Sequence, residues 1–300
     1  MQILLCADDT DDVTKAISTG AIVSKITAQL QDKGFRLVEG ISRHQLLLNE
    51  QIAYTSHNSS MCVALETDTL TEDIKQEVIA VSEQVIADFK AEVSDPGLAL
   101  CWIDELEDPQ RLIDYAFSAK HQVITKDEAY ALAAADKGLF LEELGGEGVG
   151  VIGALAGVGL RLSHCDGTLR GKTGSAFAGE PMTAQALCQK IKVSAVLNRD
   201  GNKLPDDATV IVVDMVKRAY WGGKLIAWAT AAVDGTYHVS GSHDDIETYN
   251  VHQGEDCGFF AWDNDAEEMR GTDKGCLNCL YRRWLAEGYR CIKGLAKNED

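Results

Sequence analysis

A strand-like apolar stretch at 2–6 runs into the polar residues that follow Ala7, Asp8-Asp9-Thr10-Asp11-Asp12, and over 13–30 apolar positions recur at helical spacing. The chain therefore opens as strand, acidic loop and helix. Short β-leaning stretches follow at 36–41 and 45–48, and 61–65 reads as a further strand. Thr69, with Glu72 three residues on, forms a capping box for an amphipathic helix reaching 92. Next come an apolar strand at 98–103 and a helix over 110–120, opened by the capping carboxylate and first-turn proline of Asp108-Pro109. A strand at 122–124 and an Ala-rich helix at 127–137 complete an alternation that predicts an α/β fold, with α+β as the variant.

Gly145-Gly146-Glu147-Gly148-Val149-Gly150 opens a small-residue helix over 151–158, and 166–179 is glycine-rich and irregular. That stretch sets a boundary between an amino-terminal α/β region, 1–165, and a β-rich region, 166–300. In the latter, strands at 193–197, 209–216, 224–232 and 236–240 are joined in part by Asp200-Gly201 and Asp234-Gly235 turns. A Cys-bearing tail ends in an amphipathic helix over 277–286.

With 45% hydrophobic and 25% charged residues in 300, disorder, collagen and coiled coil are excluded as whole-chain readings. No apolar run reaches the roughly 18 residues of a spanning helix, and the first residues turn acidic where a signal peptide would continue its apolar core. A cytoplasmic protein is expected. A net charge of -19 works against a simple nucleic-acid footprint, although it leaves room for a local basic patch. Nine scattered cysteines, an odd number, fit reduced thiols with at most one metal site better than a disulfide framework.

Candidate chemistry concentrates in three places. Asp8, Asp9 and Asp11 sit where a strand stops and a helix begins, as ligands for Mg²⁺, which takes oxygen donors and shares phosphate oxygens, or as the caps of an exposed turn. Gly146, Gly148 and Gly150 precede a helix whose first N–H groups make an anion site, while close helix packing explains the same small residues. Cys276-Leu277-Asn278-Cys279, with Cys257 before and Cys291 after, holds a structural Zn²⁺, reduced core cysteines or a redox pair; His252 is a substitute ligand. Arg282, Arg283, Arg290 and Lys293 in the same tail form either an anion-binding surface or a solvated helix face. Cys6, Cys62, Cys101 and Cys188 read as core residues. His164-Cys165-Asp166, Tyr220-Trp221-Gly222-Gly223 and His243-Asp244-Asp245 are weaker candidates for a nucleophile, an aromatic wall and a ligand group.

Four of these features, in order, resemble the archaeal tRNA-isoleucine agmatinylcytidine synthetases and their shorter relatives. Asp8-Asp9-Thr10-Asp11 matches the family's Asp-Asp-Thr-Asp after the first strand, and Ile17-Ser18-Thr19 stands at its Cys-Thr-Thr. Arg43 and the segment Leu48 to Ser60 echo its Arg and Leu-Asn-Pro-Asn pattern, and Gly150-Val151-Ile152-Gly153-Ala154-Leu155-Ala156 matches its Gly-x-Ile-Gly-Ala-Leu-Ala. The resemblance covers about half the chain. It implies a kinase-like, ferredoxin-like α/β region in which Asp8, Asp9 and Asp11 hold Mg²⁺. Gly146, Gly148 and Gly150 would bind ATP phosphate, with Thr10, Ser18, Thr19 and His57 lining the site. In the family, ATP activates a cytidine carbonyl oxygen so that an amine displaces it.

The family's Lys-Thr-Arg is Thr55-Ser56-His57 here, which exchanges a cation for an imidazole. The carboxyl-terminal half shows no match to RNA-binding modules. Together with the net charge, this favours phosphoryl transfer to a carbonyl or carboxyl oxygen of a small molecule, which a nucleophile then displaces. A tRNA-modifying synthetase and a non-catalytic nucleotide- or metal-binding regulatory protein are the alternatives.

Overall fold

A computed structural model describes residues 1–11, 17–49, 51–52, 58–171 and 173–240, together with the backbone of two strands near the carboxyl end. The chain divides into two units, Met1–Ser163 and His164–Asp300.

The first unit is built on β1 (Gln2–Asp8), β2 (Arg36–Gln45), β3 (Ser59–Glu66), β4 (Gly97–Trp102) and β5 (Leu139–Glu143). They are hydrogen-bonded in the order β5-β4-β1-β3-β2, with every neighbouring pair antiparallel. Helices α1 (Thr19–Asp32) and α2 (Glu72–Phe89) cover one face; α3 (Pro109–His121), α4 (Lys126–Ala134) and α5 (Gly150–Ser163) cover the other. Along β1, Ile3, Leu5 and Ala7 pack among Ile22, Val23, Ile26 and Val85, whereas Leu4 and Cys6 pack among Leu112, Ala154, Leu155 and Val158. A strand covered on both faces reads as a continuous apolar run, which is why the residues after Gln2 show no alternation. The fold class is thus mixed α and β, with helices on both sides of an antiparallel sheet.

The glycines of α5 let it approach its neighbours. A Cβ at Gly157 would overlap Cys6 Sγ and Ser60 Oγ, and one at Gly159 would stand 2.6 Å from Ala116 Cβ. Burial pushes the Cys6 thiol pKa up, with Cys62 beside it adding to the effect, and pushes Cys101 up to about 12. These cysteines are core residues, as expected, and resist ionisation.

Helix boundaries follow local caps. Asp108 accepts from Arg111 N at 3.0 Å ahead of Pro109, and Thr125 with Glu128 closes a capping box. The buried Asp136 carboxylate takes the N–H groups of Glu107, Asp108 and Gly138, joining the turn before α3 to the turn before β5.

Several expected elements shift. Of the helix expected over 13–30, residues 13–16 lie outside the described residues, and α1 starts at Thr19, where Ser18 caps it by accepting from Ala21 N. The stretch at 36–41 opens a longer strand, β2, bent by a bulge where Glu39 and Gly40 take positive φ, and of the strand expected at 45–48 only Gln45 belongs to it. Thr71, not Thr69, caps α2 by accepting from Ile74 N. Residues 122–124 follow α3 without joining the sheet, and the edge strand is instead β5. The pattern hides β5 because all its residues are half-buried.

The second unit contains β6 (Thr168–Leu169), β7 (Pro181–Thr183), α6 (Ala184–Ile191), β8 (Ala195–Leu197), β9 (Thr209–Val212), β10 (Arg218–Trp221), β11 (Lys224–Trp228), β12 (Thr230–Ala231) and β13 (Tyr237–Val239). Its strands run in the orders β6-β10-β11-β8 and β12-β13-β9-β7. Leu187 and Ile191 of α6 share a core with Val196, Val210, Val212, Ala227 and Val239. Gly222 and Gly223, with φ of 56° and 77°, alone form the turn between β10 and β11, the double positive φ of a tight hairpin.

Farther on, β14 (Arg282–Leu285) and β15 (Gly288–Cys291) pair antiparallel, with Trp284 opposite Tyr289 in register. Residues 282–285 are thus strand where a helix over 277–286 is expected, and 277–281 and 286 lie outside the described residues. Among the described residues, no helix is long and apolar enough to cross a membrane.

Candidate functional site

Strand register brings three distant segments to one end of the first unit's sheet. Asp8 lies opposite Gly97, and Gly97 lies opposite Glu143. The acidic loop after β1, the Ser94-Asp95-Pro96 approach to β4 and the glycine turn after β5 therefore meet where α5 begins.

Within the acidic loop the three carboxylates play different parts. Asp8 is buried, and its Oδ2 fills the space that a side chain at Gly153 would take, against the first turn of α5. Burial pushes its pKa well above the carboxylate range, and the charge of Asp9 adds to the effect. Asp9 holds φ of 51°, a left-handed conformation uncommon for a residue with a side chain. Its pKa is pushed up to about 6, first by burial and then by the charges of Asp95 and Asp11. Asp11 instead accepts from Thr19 N at 3.2 Å and so caps α1. Thr10, fully buried, bonds Thr19 Oγ1 at 3.0 Å, and its carbonyl accepts from Ala91 N at 2.9 Å. Thr19 thus holds the loop against the helix start, and Ser18 caps the helix itself.

The glycine turn closes on a protein carboxylate. Gly146 and Gly148 have φ of 60° and 69°, and side chains there would overlap Asp95 Oδ1 and Glu143 Oε2. Asp95 Oδ1 accepts from Glu147 N, and the Asp95 carbonyl accepts from Gly150 N at 3.0 Å. Asp95 therefore holds the anion position at the head of α5. Two lysines flank the turn: Lys90 Nζ lies where a side chain at Gly145 would stand, and Lys126 Nζ bonds Glu147 O at 2.6 Å.

Asp95 and Lys90 carry no local sequence signal. Asp95 joins the site because β4 pairs with β1, and Lys90 because it ends α2 beside the turn. Among the described residues, no three His, Cys, Asp or Glu side chains gather as metal ligands. The donor set that remains, the buried carboxylate of Asp8 and the half-buried one of Asp9, has the hard-oxygen chemistry of Mg²⁺, which binds through one or two carboxylates together with phosphate and water.

His57, Cys257, Cys276, Cys279, His252 and His243-Asp244-Asp245 lie outside the described residues, as does the side chain of Cys291. His164 packs its ring edge-on to Tyr220 at 5.4 Å, while Cys165 is exposed. A groove of about 360 Å³ lined by Lys75, Glu83, Trp102, Phe140 and Glu142 lies elsewhere in the first unit, between α2 and β5.

No family model matches the chain, and no curated protein matches it. Among solved structures, it is similar to a tRNA fluorescent labeling enzyme over 53% of this chain and 36% of that one, at 22% identity and a TM-score of 0.44. A complex of TiaS with tRNA and ATP matches over 53% and 36%, at 20% identity and 0.45. Apo TiaS, a tRNA agmatidine synthetase, matches over 62% and 42%, at 20% identity and 0.45. The chain thus spans 36% to 42% of the length of these proteins.

Proposed function

We propose that the first unit binds ATP with Mg²⁺ and transfers a phosphoryl group to an acceptor oxygen, which activates that oxygen for displacement by a nucleophile. The observation that carries this reading is the meeting of a buried and a half-buried carboxylate, a helix start and two lysines at one sheet end. Asp8 and Asp9 would hold Mg²⁺, which supplies charge neutralisation on phosphate oxygens. Lys90 and Lys126 would face phosphate charge that the helix start also favours. Thr10, Thr19 and Asp11 keep the acidic loop in place through their bonds to one another. Asp95 occupies the turn until a phosphate contests it.

For the acceptor, the four ordered sequence matches favour a tRNA nucleobase carbonyl, the acceptor class of the agmatinylcytidine synthetases. The net charge favours a small carbonyl or carboxyl compound as the second reading. The charge is unevenly distributed, however. Residues 1–163 carry 12 Lys and Arg against 27 Asp and Glu, a net of -15, whereas 164–240 carry nine against seven, a net of +2. Residues 241–300 carry seven against 13, so the second unit as a whole is at -4, and the objection to RNA is weaker there than in the first unit.

Incubation of the full chain with ATP, Mg²⁺, an amine and unmodified tRNA is expected to consume nucleotide only when RNA is intact. Consumption that survives ribonuclease treatment and depends on an added carboxylate would select the small-molecule acceptor. No consumption with either acceptor class would overturn phosphoryl transfer.

A further inference from the structure

The β10–β11 hairpin exposes an aromatic surface that the phosphoryl-transfer reading does not use. Trp221 closes β10 and is 52% exposed, a large apolar side chain left in water at the hairpin tip. Its ring meets that of Trp228 edge-on, with centroids 5.4 Å apart and planes at 72°. Lys224 lies directly opposite Trp221 in the strand register, so the two project from the same face, and Trp228, four residues on, shares that face. Trp228 is in turn in register with Leu197 of β8.

Beyond Leu197, the loop Asn198–Asn202 is shaped by Asn198, whose Oδ1 accepts from Asp200 N and Asn202 N at 3.1 and 2.9 Å. This brings Gly201 against the Trp221 indole nitrogen, 4.0 Å from where a side chain on the glycine would stand. Arg199, in the same loop, is anchored by Nε donating to Thr230 Oγ1 at 3.2 Å. An indole pair on rigid backbone thus has one cation on the hairpin and another on the adjoining loop.

We infer that this face binds single-stranded RNA, with Trp221 as a stacking platform for an unpaired base and with Lys224 and Arg199 facing backbone phosphates. Splayed bases stack on aromatic rings whatever their sequence, and a cationic track beside the ring follows the phosphates. Residues 164–240, which bear the hairpin, carry a net of +2 in a strongly acidic chain, so locally they do not repel a polyanion as the first unit does. The inference rests on the RNA reading of the acceptor and adds the residues that would hold the RNA.

The test is fluorescence anisotropy of the full chain with a labelled single-stranded RNA of about ten nucleotides, and with a duplex of the same sequence, at low salt. Trp221→Ala is expected to weaken single-strand binding at least fivefold, the factor that corresponds to the smaller measured stacking energies, and Trp221→Phe to weaken it less. Lys224→Gln is expected to flatten the slope of log affinity against log salt by about 0.7. Trp221 is half exposed, so these variants keep their fold, which far-ultraviolet circular dichroism verifies. Equal binding by Trp221→Ala and the natural chain would overturn the inference. So would self-association through Trp221 without RNA binding, or no RNA binding at all. The phosphate site is read separately, by calorimetric titration of the natural chain and of Trp221→Ala with ATP and Mg²⁺, which the Trp221 substitution should leave alike. RNA binding through Trp221 with no nucleotide binding would keep this surface and remove the phosphoryl-transfer reading.

Discussion

Replacing Asp9 with Asn is expected to stabilise the metal-free protein at pH 7 by about 3 kcal/mol, although the substitution removes a charge from the centre of the proposed site. The folded-state pKa of Asp9 is about 6 against an ordinary 3.8, a difference of roughly two units at 1.36 kcal/mol each. For an acid whose folded pKa is raised, no penalty exists below the unfolded value, where both states are protonated. The penalty grows as pH rises from near 4 and is complete above about 6, where folding must bury a charge. The gap between the variant and the natural chain should therefore be small at pH 4 and widest at neutral pH. Asp8 is shifted in the same direction, first by its own burial and then by the charge of Asp9, so part of its penalty is relieved too. Asn tolerates the left-handed φ of 51° at this position as well as Asp does. Thermal unfolding at several pH values, without metal, measures the effect. A variant that is less stable at pH 7 would mean that Asp9 acts as a structural cap, as Asp11 does for α1.

Gly97→Ala should be the most damaging single methyl group in the first unit. A Cβ there would overlap the carbonyl carbon of Gly150 and the nitrogen of Val151, both backbone atoms that cannot turn aside. The reciprocal Cβ at Gly150 would stand 2.6 Å from Gly97 N. Since β4 and the start of α5 are in backbone contact here, the extra group must push the helix off the sheet. Overpacking usually costs 1–3 kcal/mol, and a clash with rigid backbone belongs at or above the top of that range, about 3 kcal/mol or more. For a unit of this size that lowers the melting temperature by roughly 6–12 °C. Gly171→Ala is the matched control, because nothing lies within 4 Å of a Cβ there, although its positive φ carries a smaller conformational cost. Equal melting temperatures for Gly97→Ala and the natural chain would show that α5 does not approach the strand this closely.

Local signals made much of this visible in the sequence. The strand before Asp8, the cap and proline at Asp108-Pro109 and the turn at Gly145–Gly150 are each written in a few adjacent residues, and each stands near its expected place. What the sequence hid is set by pairing. Asp95 meets Asp9 only because β4 runs antiparallel to β1 with Gly97 beside Asp8, a relation between residues almost ninety positions apart. The three acids that look equivalent in sequence are separated: Asp8 packs against the first turn of α5, Asp9 lies beside Asp95, and Asp11 is drawn to the N–H of Thr19. The glycine run left two readings open, of which the geometry speaks to packing and turn shape. Gly157 and Gly159 serve close packing, and Gly146 and Gly148 supply the positive φ that wraps the turn around Asp95. Short elements such as α6 and β10 escaped because two helical turns or four strand residues carry too little periodicity.

Calorimetric titration of the full chain with ATP, with and without Mg²⁺, bears most directly on the proposed phosphate site. Binding heat that appears only with Mg²⁺, and a melting temperature that rises with nucleotide only when the metal is present, are expected. No heat at several temperatures, together with no thermal shift in either condition, would contradict nucleotide binding. The carboxylates of Asp8 and Asp9 would then be a strained feature of the fold alone.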